Sequence, residues 1–375
     1  MSAWIFWLSI ALVAYAYVGY PVLTRVLAGR FGSVPRLVDI TPAVTVVIAA
    51  HNEAARIAGR IENILNQDYP IENLHILVVS DGSEDGTELA ANIGPNTRTI
   101  ALTQNRGKAV ALNAALEAVS TEFVVFADVR QRFAPQTLRR LLAAFADPAV
   151  GAVSGELEIV ETMTDQSRPA NIGLYWRMEK SLRENESLLA WLHGVSGAVY
   201  ALRKELFRPI RAGTILDDMW VPLHTVFAGR RVWMARDAIA YDTVSAQGGE
   251  EFRRKLRTLA GNWQLMARLP RVINPLRNPV FFAWFSHKFL RLIVPWALIA
   301  AWFASALAPD EIYRCAWLLQ SGAYLVAILA LLFPRAVCRV PLLPAAGTFL
   351  MLNAAALLAL PAWLLLDPGR LWKKH

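Results

Sequence analysis

The sequence predicts an α/β domain with a mostly parallel, doubly wound sheet, joined to α-helical transmembrane segments. Three observations predict it. Hydrophobic residues make up 55% of the 375-residue chain and charged residues 18%, too apolar a balance for an ordinary soluble protein. Between residues 42 and 250, short apolar runs alternate with segments of helical spacing, the pattern of strands covered on both faces by crossover helices. Near both ends lie uncharged stretches long enough to cross a bilayer. The net charge of +8 suits both a positive-inside bias and a surface for phosphates or anionic lipid. Without a basic tail or a nucleic-acid motif, nucleic acid is not an expected partner. No internal repeat or low-complexity segment is present.

The elements follow in order. No charge precedes Arg25, and Trp4, Trp7, Tyr15, Tyr17 and Tyr20 give the first segment an aromatic character before Arg25, Arg30 and Arg36. With no basic n-region and no small-residue cleavage site, residues 1–30 read as a retained signal anchor that leaves the next domain cytoplasmic. Residues 40–249 form that domain. Strands are expected at VTVVIAA (44–50), LHILVVSD (74–81), TRTIALT (97–103) and FVVFAD (123–128), and helices at 53–67, 83–93, 107–119 and 135–146. Asp81 and Asp128 then stand at carboxyl ends of strands, where such sheets bind ligands.

Residues 250–288 read as amphipathic interface helices. Phe252, Leu256, Leu259, Trp263 and Met266 share one helical face, and Arg253, Arg254, Lys255 and Arg257 crowd the rest, as suits a helix lying in a membrane surface. Residues 289–375 form about three helices, from the uncharged segments 292–309, 315–334 and 340–366. Four spans and a cytoplasmic domain put the C-terminus outside, yet Arg370, Lys373 and Lys374 favour the inside. FFAWF (281–285) is a further candidate membrane element. Cys315 and Cys338 bracket an apolar segment of roughly 30 Å if helical, too long for a disulfide.

The chemistry sits in the loops after the strands. In VVSDGSEDGT (78–87) Asp81 ends a strand, Gly82 and Ser83 turn, and Asp85–Gly86 enters a helix; a helix-capping turn and a ligand-binding turn read alike here. AHNEA (50–54) ends the first strand. NRGKAVALNAAL (105–116) sets Lys108 at a helix start, where an ammonium can meet a phosphate, although the spacing is not that of a P-loop. HGVSGAVYALRKELF (193–207) has small residues where a backbone can approach a ligand. ILDDMWVPL (215–223) pairs Asp217 and Asp218: adjacent acids repel, which raises one pKa and suits a proton acceptor, unless both only cap the helix. FVVFADVRQRF (123–133) offers one acid, Asp128, followed by Arg130 and Arg132.

Residues 45–265 resemble the family-2 glycosyltransferases, inverting enzymes of the GT-A fold. The resemblance rests on Ala50–Glu53, Asp81–Ser83 with Asp85–Gly86, Asn105–Lys108, Asp128, Gly197–Arg203 and Asp217–Asp218, in family order. The membrane frame is similar to that of hyaluronan, cellulose and poly-N-acetylglucosamine synthases. The resemblance implies a hexosyltransferase. Glu53 and Asp81 would hold the nucleoside of the donor, Glu53 at the ribose or base and Asp81 at the uracil. Lys108, Arg130 and Arg257 would bind the donor diphosphate. Asp128 would be the metal ligand, for Mg²⁺ or Mn²⁺. Asp218 would be the catalytic base with Asp217 in place of the motif's glutamate, and Gly197, Ala198 and Trp263 would line the acceptor.

Two departures stand out. Arg130 occupies the position of the second acid of the Asp-x-Asp motif. Three readings fit: Asp128 holds the metal with phosphate oxygens and an acid elsewhere, Arg130 itself neutralises the diphosphate, or the site is dead. Of the Gln-x-x-Arg-Trp motif only Arg257 matches, with Arg254 and Thr258 replacing the Gln and Trp, which puts processive polymerisation in doubt. The expected function is transfer of a sugar from a UDP-linked donor to a glycan or lipid-linked acceptor at the cytoplasmic face of the inner (plasma) membrane, in cell-surface polysaccharide or glycolipid synthesis. Membrane lipids and export proteins would be the partners. The alternative is a catalytically silent subunit of a synthesis or export complex. The histidines (His51, His75, His193, His224, His287, His375) show no metal-ligand spacing; His51 and His193 read as structural or acceptor-lining, and His287 with Lys288 as membrane-interface residues.

Overall fold

A computed structural model of the chain describes residues 1–160, 174–243, 248–333 and 343–366. In chain order the helices are α1 (Ser2–Phe31), α2 (Ala54–Leu65), α3 (Thr87–Ala91), α4 (Lys108–Ala118), α5 (Thr137–Leu142), α6 (Leu174–Leu188), α7 (Asp217–Phe227), α8 (Gly248–Arg268), α9 (Phe281–Leu307), α10 (Glu311–Leu332) and α11 (Leu343–Leu365). The strands are β1 (Val44–Ala50), β2 (Leu74–Asp81), β3 (Thr97–Leu102), β4 (Phe123–Ala127), β5 (Arg132–Phe133), β6 (Val150–Val160), β7 (Val199–Arg203) and β8 (Arg231–Thr243).

The strands form one eight-stranded sheet in the order β3-β2-β1-β4-β7-β6-β8-β5. The four strands expected from sequence are the parallel half, with β1 between β2 and β4 and β3 outside β2. β7 runs antiparallel to β4 and β6, and β6 pairs parallel with β8. Apolar runs on buried strands alternate between two cores. Val47, Val124 and Phe126 face α4 and α7, while Val46, Ile48 and Val125 face α2 and α5, because successive side chains of a strand point to opposite sides. α2 shows why its face is buried: Ile57, Ile61 and Ile64 recur at helical spacing and are fully covered, each contributing about 1.5–3 kcal/mol of burial. A charge at Ile61 would break that face.

Four helices, α1, α9, α10 and α11, are long and apolar enough to cross a membrane. They carry exposed Trp4, Leu8, Phe303, Leu319, Leu325 and Leu365, side chains that suit lipid rather than water. The second begins at Phe281, not at 292 as the uncharged run suggests. Its first half carries His287, Lys288 and Arg291, and Glu179 and Glu186 of α6 meet these charges, so they do not break the helix. α8 lies between the domain and α11: Gly261 packs so tightly on Ile215 and Leu216 that a Cβ there would come within 2.7 Å of Leu216. Its apolar residues therefore meet protein as well as any membrane surface. Cys315 is exposed; Cys338, Arg370, Lys373 and Lys374 lie outside the described residues.

Candidate active site

The site is built at the carboxyl ends of β1, β2 and β4. β2 ends on Asp81, whose Oδ1 accepts a hydrogen bond from Arg106 N at 2.9 Å and whose Oδ2 accepts one from Gly107 N at 2.7 Å. The buried carboxylate thus braces the turn that starts α4. Gly82 has φ +62°, and a Cβ on it would stand 2.3 Å from Asn105 N, so only glycine lets the two turns touch. Between them opens a cleft of about 560 Å³ lined by His51, Gly82, Ser83, Glu84, Gln104 and Asn105 among others. At its β1 side Asn52, with φ +53°, accepts from Glu84 N at 3.0 Å, and Asp85 accepts from Ala54 N and Thr87 N, both at 3.0 Å. Hydrogen bonds from Thr87 and Ala54 hold Asp85 below the usual carboxylate range. Glu53 pairs with Arg56 at 2.9 Å.

Lys108 opens α4 after Gly107, which turns at φ +88°. Its Nζ lies 2.9 Å from Asp128 Oδ1 and 3.4 Å from Asp217 Oδ2. Burial works against this ammonium, but Asp128 and Asp217 outweigh it and hold its pKa above the ordinary lysine value. Arg257, on α8, joins the same field: burial lowers its pKa, and the charges of Asp218, Asp217 and Asp128 oppose that. Four separated segments, the starts of α4 and α7, the end of β4 and α8, therefore meet around three acids and two cations.

Asp217 and Asp218 form the first turn of α7, with Pro222 inside the helix. Proline lacks an N–H, so the carbonyl four residues before it, that of Asp218, has no helical partner. Val195 N donates to Asp218 O at 2.9 Å instead, which ties the 193–197 loop to the acid pair. Gly197 sits against the same residue: a Cβ there would be 3.4 Å from Asp218 Cβ. Burial first, then the neighbouring charge of Asp217, pushes the Asp218 carboxyl up to about 7. Asp217 Oδ2 and Asp218 Oδ1 are buried and accept no hydrogen bond from the described residues. Ala198 is buried beside this loop.

Two residues of the expected site have partners that no local pattern shows. Arg130 Nη2 donates to Asp242 Oδ2 at 2.8 Å, and Gln131 Nε2 donates to the same oxygen at 2.9 Å. Asp242 is fully buried, and the pairing of Arg132 with Tyr241 between β5 and β8 sets it beside Arg130. Sequence reasoning missed Asp242, which is 112 residues from Arg130 and in no quoted motif. Trp263 packs on Phe289 of α9, with ring centroids 6.4 Å apart. A second miss concerns the histidines: His193 and His287 meet Glu186 in a buried group.

Residues 45–211 match the family described as glycosyl transferase family 2. The chain carries a family-2 glycosyl transferase domain. The family-2 domain and its surroundings are similar to poly-beta-1,6-N-acetyl-D-glucosamine synthase of Staphylococcus aureus (strain COL), 25% identical over 238 residues, 62% of this chain and 57% of the relative. The chain thus spans little more than half the length of that relative. A shorter stretch of 110 residues, 29% of the chain and 31% of the relative, is 36% identical to the succinoglycan biosynthesis protein ExoO of Rhizobium meliloti (strain 1021). Among solved structures, mannosyltransferase PcManGT from Pyrobaculum calidifontis, in complex with GDP-Man and Mn²⁺, superposes with a TM-score of 0.72 at 27% identity, over 96% of this chain and 99% of that one. The family-2 domain has the GT-A fold.

Proposed function

We propose that this chain moves a hexosyl group from a nucleoside diphosphate sugar to a hydroxyl of a glycan or lipid-linked acceptor, with inversion, at the cytoplasmic face of the inner membrane, in cell-surface polysaccharide or glycolipid synthesis. The observation that carries the reading is the meeting of Lys108, Asp128, Asp217 and Asp218 at one end of the sheet. The S. aureus relative, by name a poly-beta-1,6-N-acetyl-D-glucosamine synthase, supports a glycan product, and PcManGT, held with GDP-Man and Mn²⁺, supports a nucleoside diphosphate donor and a divalent cation. Four membrane-length helices support the membrane setting. The donor base, uracil or guanine, is part of the test.

Asp218 is the base. Its pKa of about 7 lets it exist as carboxylate at neutral pH yet accept a proton readily. The acceptor oxygen forms a bond to the anomeric carbon as its proton passes to Asp218, and the bond from that carbon to the diphosphate oxygen breaks on the opposite face. Lys108 and Arg257 meet the negative charge that develops on the leaving diphosphate. The cleft beside His51, Ser83 and Asn105 takes the nucleoside, with Asp81 bracing its wall. Gly197 and Ala198 leave room for the acceptor against Asp218.

The residues fit a hard divalent cation: Asp128 supplies a partly exposed carboxylate, and Asp217 Oδ2 is a buried oxygen whose charged neighbour is Lys108 at 3.4 Å, the oxygen ligands that Mg²⁺ and Mn²⁺ prefer. Asp128 would hold the ion, which when bound would neutralise the diphosphate. Arg130 pairs with Asp242 and Lys108 is the cation held against Asp128; the retained acids Asp217 and Asp218 favour an active enzyme over a silent subunit. The test is release of nucleoside diphosphate by detergent-purified chain given UDP- and GDP-sugars with a membrane extract, in Mg²⁺, Mn²⁺ or EDTA. Release that stops in Asp218→Asn is expected; no release from any donor by folded protein overturns the reading.

A further inference from the structure

A second polar cluster lies away from the donor cleft, where α6, the loop after it and the membrane helices meet. Oxygen of Glu186 on α6, nitrogen of His193 in the following loop and nitrogen of His287 in α9 lie within 4.8 Å of one another, and all three side chains are buried. His287 falls in a one-turn π-helical stretch, Phe285–Phe289, an irregularity that often marks functional positions in helices. Tyr20 of α1 adds its hydroxyl, which donates to Glu186 Oε1 at 2.9 Å.

The far nitrogen of each imidazole is already engaged. His193 Nδ1 is 3.0 Å from Trp191 O, and His287 Nε2 is 2.8 Å from Glu179 Oε1. Glu179 is fixed in turn by Arg291 at 2.6 Å. A carbonyl or carboxylate behind each histidine is the outer shell that orients metal-binding imidazoles and raises their basicity. With its proton on Nδ1, His193 presents the Nε2 lone pair to the cluster, and burial pulls its pKa down to about 4, so it stays neutral.

Two atoms in the cluster lack partners. His193 Nε2 and Glu186 Oε2 are buried and make no hydrogen bond with the described residues. Both are acceptors, so neither can satisfy the other, and each unsatisfied buried acceptor costs about 1–3 kcal/mol. Around them, Lys288 Nζ lies 3.2 Å from His287 Nε2 and pairs with Glu179, as does Arg291, while Glu186 pairs with His287. A cation between these donors would satisfy both unpartnered acceptors.

We propose that Glu186, His193 and His287 form a site for a zinc ion that joins the family-2 domain to its membrane helices. Two imidazoles and one carboxylate are the donor set of zinc rather than of Mg²⁺ or Ca²⁺, with a fourth position open to water or the Tyr20 oxygen. The ion would replace the proton between His287 Nδ1 and Glu186 Oε1, which lie 2.8 Å apart. It would fix the loop carrying His193, and Val195 of that loop holds Asp218 O. Its ligands are separate from those of the proposed transfer reaction, Asp128 included.

The test is metal content of detergent-purified full-length chain, equilibrated with zinc and dialysed against a weak chelator. About one zinc per chain is expected, falling at least tenfold in His193→Ala and unchanged in Asp128→Asn. Should His193→Ala not fold, the wild type alone decides. Cobalt in place of zinc gives the visible absorption of a four-coordinate site with nitrogen ligands, and phenanthroline lowers Tm. A wild-type chain that binds no zinc or cobalt overturns the proposal and leaves a buried water as bridge. So does zinc that is retained in His193→Ala and lost in Asp128→Asn.

Discussion

Lys108 Nζ donates to Asp128 Oδ1 at 2.9 Å and sits 3.4 Å from Asp217 Oδ2, so one ammonium links the end of β4 to the acid pair of α7. Replacing Lys108 by Met should remove the cation proposed to face the leaving diphosphate while leaving three acids to repel one another. The expected result is a fall of roughly 10²–10³ in kcat/KM, measured by nucleoside diphosphate release. Lys108→Arg should not restore it fully, since a planar fork does not replace a point charge in a buried slot.

Asp218→Asn removes the proposed proton acceptor and keeps the shape. Its kcat should drop by about 10²–10⁴, while donor binding, read by calorimetry, changes little. A variant that keeps wild-type turnover would exclude Asp218 as the base.

The pH dependence follows from the raised pKa of Asp218, about 7 in the folded chain against about 3.9 in an unfolded one. Activity should rise with pH through 7 as the base ionises. Stability should move the opposite way: between those two values the folded state binds the extra proton, so raising pH through the window lowers stability. A pH series of Tm should show this slope in the wild type and a flatter one in Asp218→Asn.

Arg130→Asp recreates the Asp-x-Asp pattern, yet it places a carboxylate beside the buried Asp242 that Arg130 now pairs with at 2.8 Å. The single variant should lose stability by about 1–3 kcal/mol or more, seen as a lower Tm. Arg130→Asp with Asp242→Asn should recover much of it. Equal Tm values for the single variant and the wild type would mean the pair contributes nothing.

Gly82→Ala should destabilise the cleft by about 2 kcal/mol or more, because φ is +62° and the new Cβ would meet Asn105 N at 2.3 Å. Loss of donor affinity at unchanged membrane insertion is the measurement.

The parallel half of the sheet and the four long apolar helices were legible in the sequence, because near-continuous apolar runs and bilayer-length uncharged stretches are local signals. β6, β7 and β8 were not: β7 and β8 are antiparallel or long mixed strands whose partners lie far along the chain. The start of α9 was misplaced for a related reason. His287, Lys288 and Arg291 look like the end of a span until α6 supplies Glu179 and Glu186 to meet them.

The sequence by itself determined which residues could do chemistry: Asp128 at a strand end, Lys108 at a helix start, and Asp217–Asp218 as a repelling pair, each set by neighbours within a few positions. Only the tertiary structure decided how those charges are shared. It turned Arg130 to Asp242, gave Lys108 to Asp128 and Asp217, and let Val195 take the carbonyl that Pro222 leaves free. It also gathered Glu186, His193 and His287 from three separate segments. The physical reason is that electrostatic partners and buried acceptors are matched across space by packing, and no local pattern in a sequence records which distant side chain will arrive.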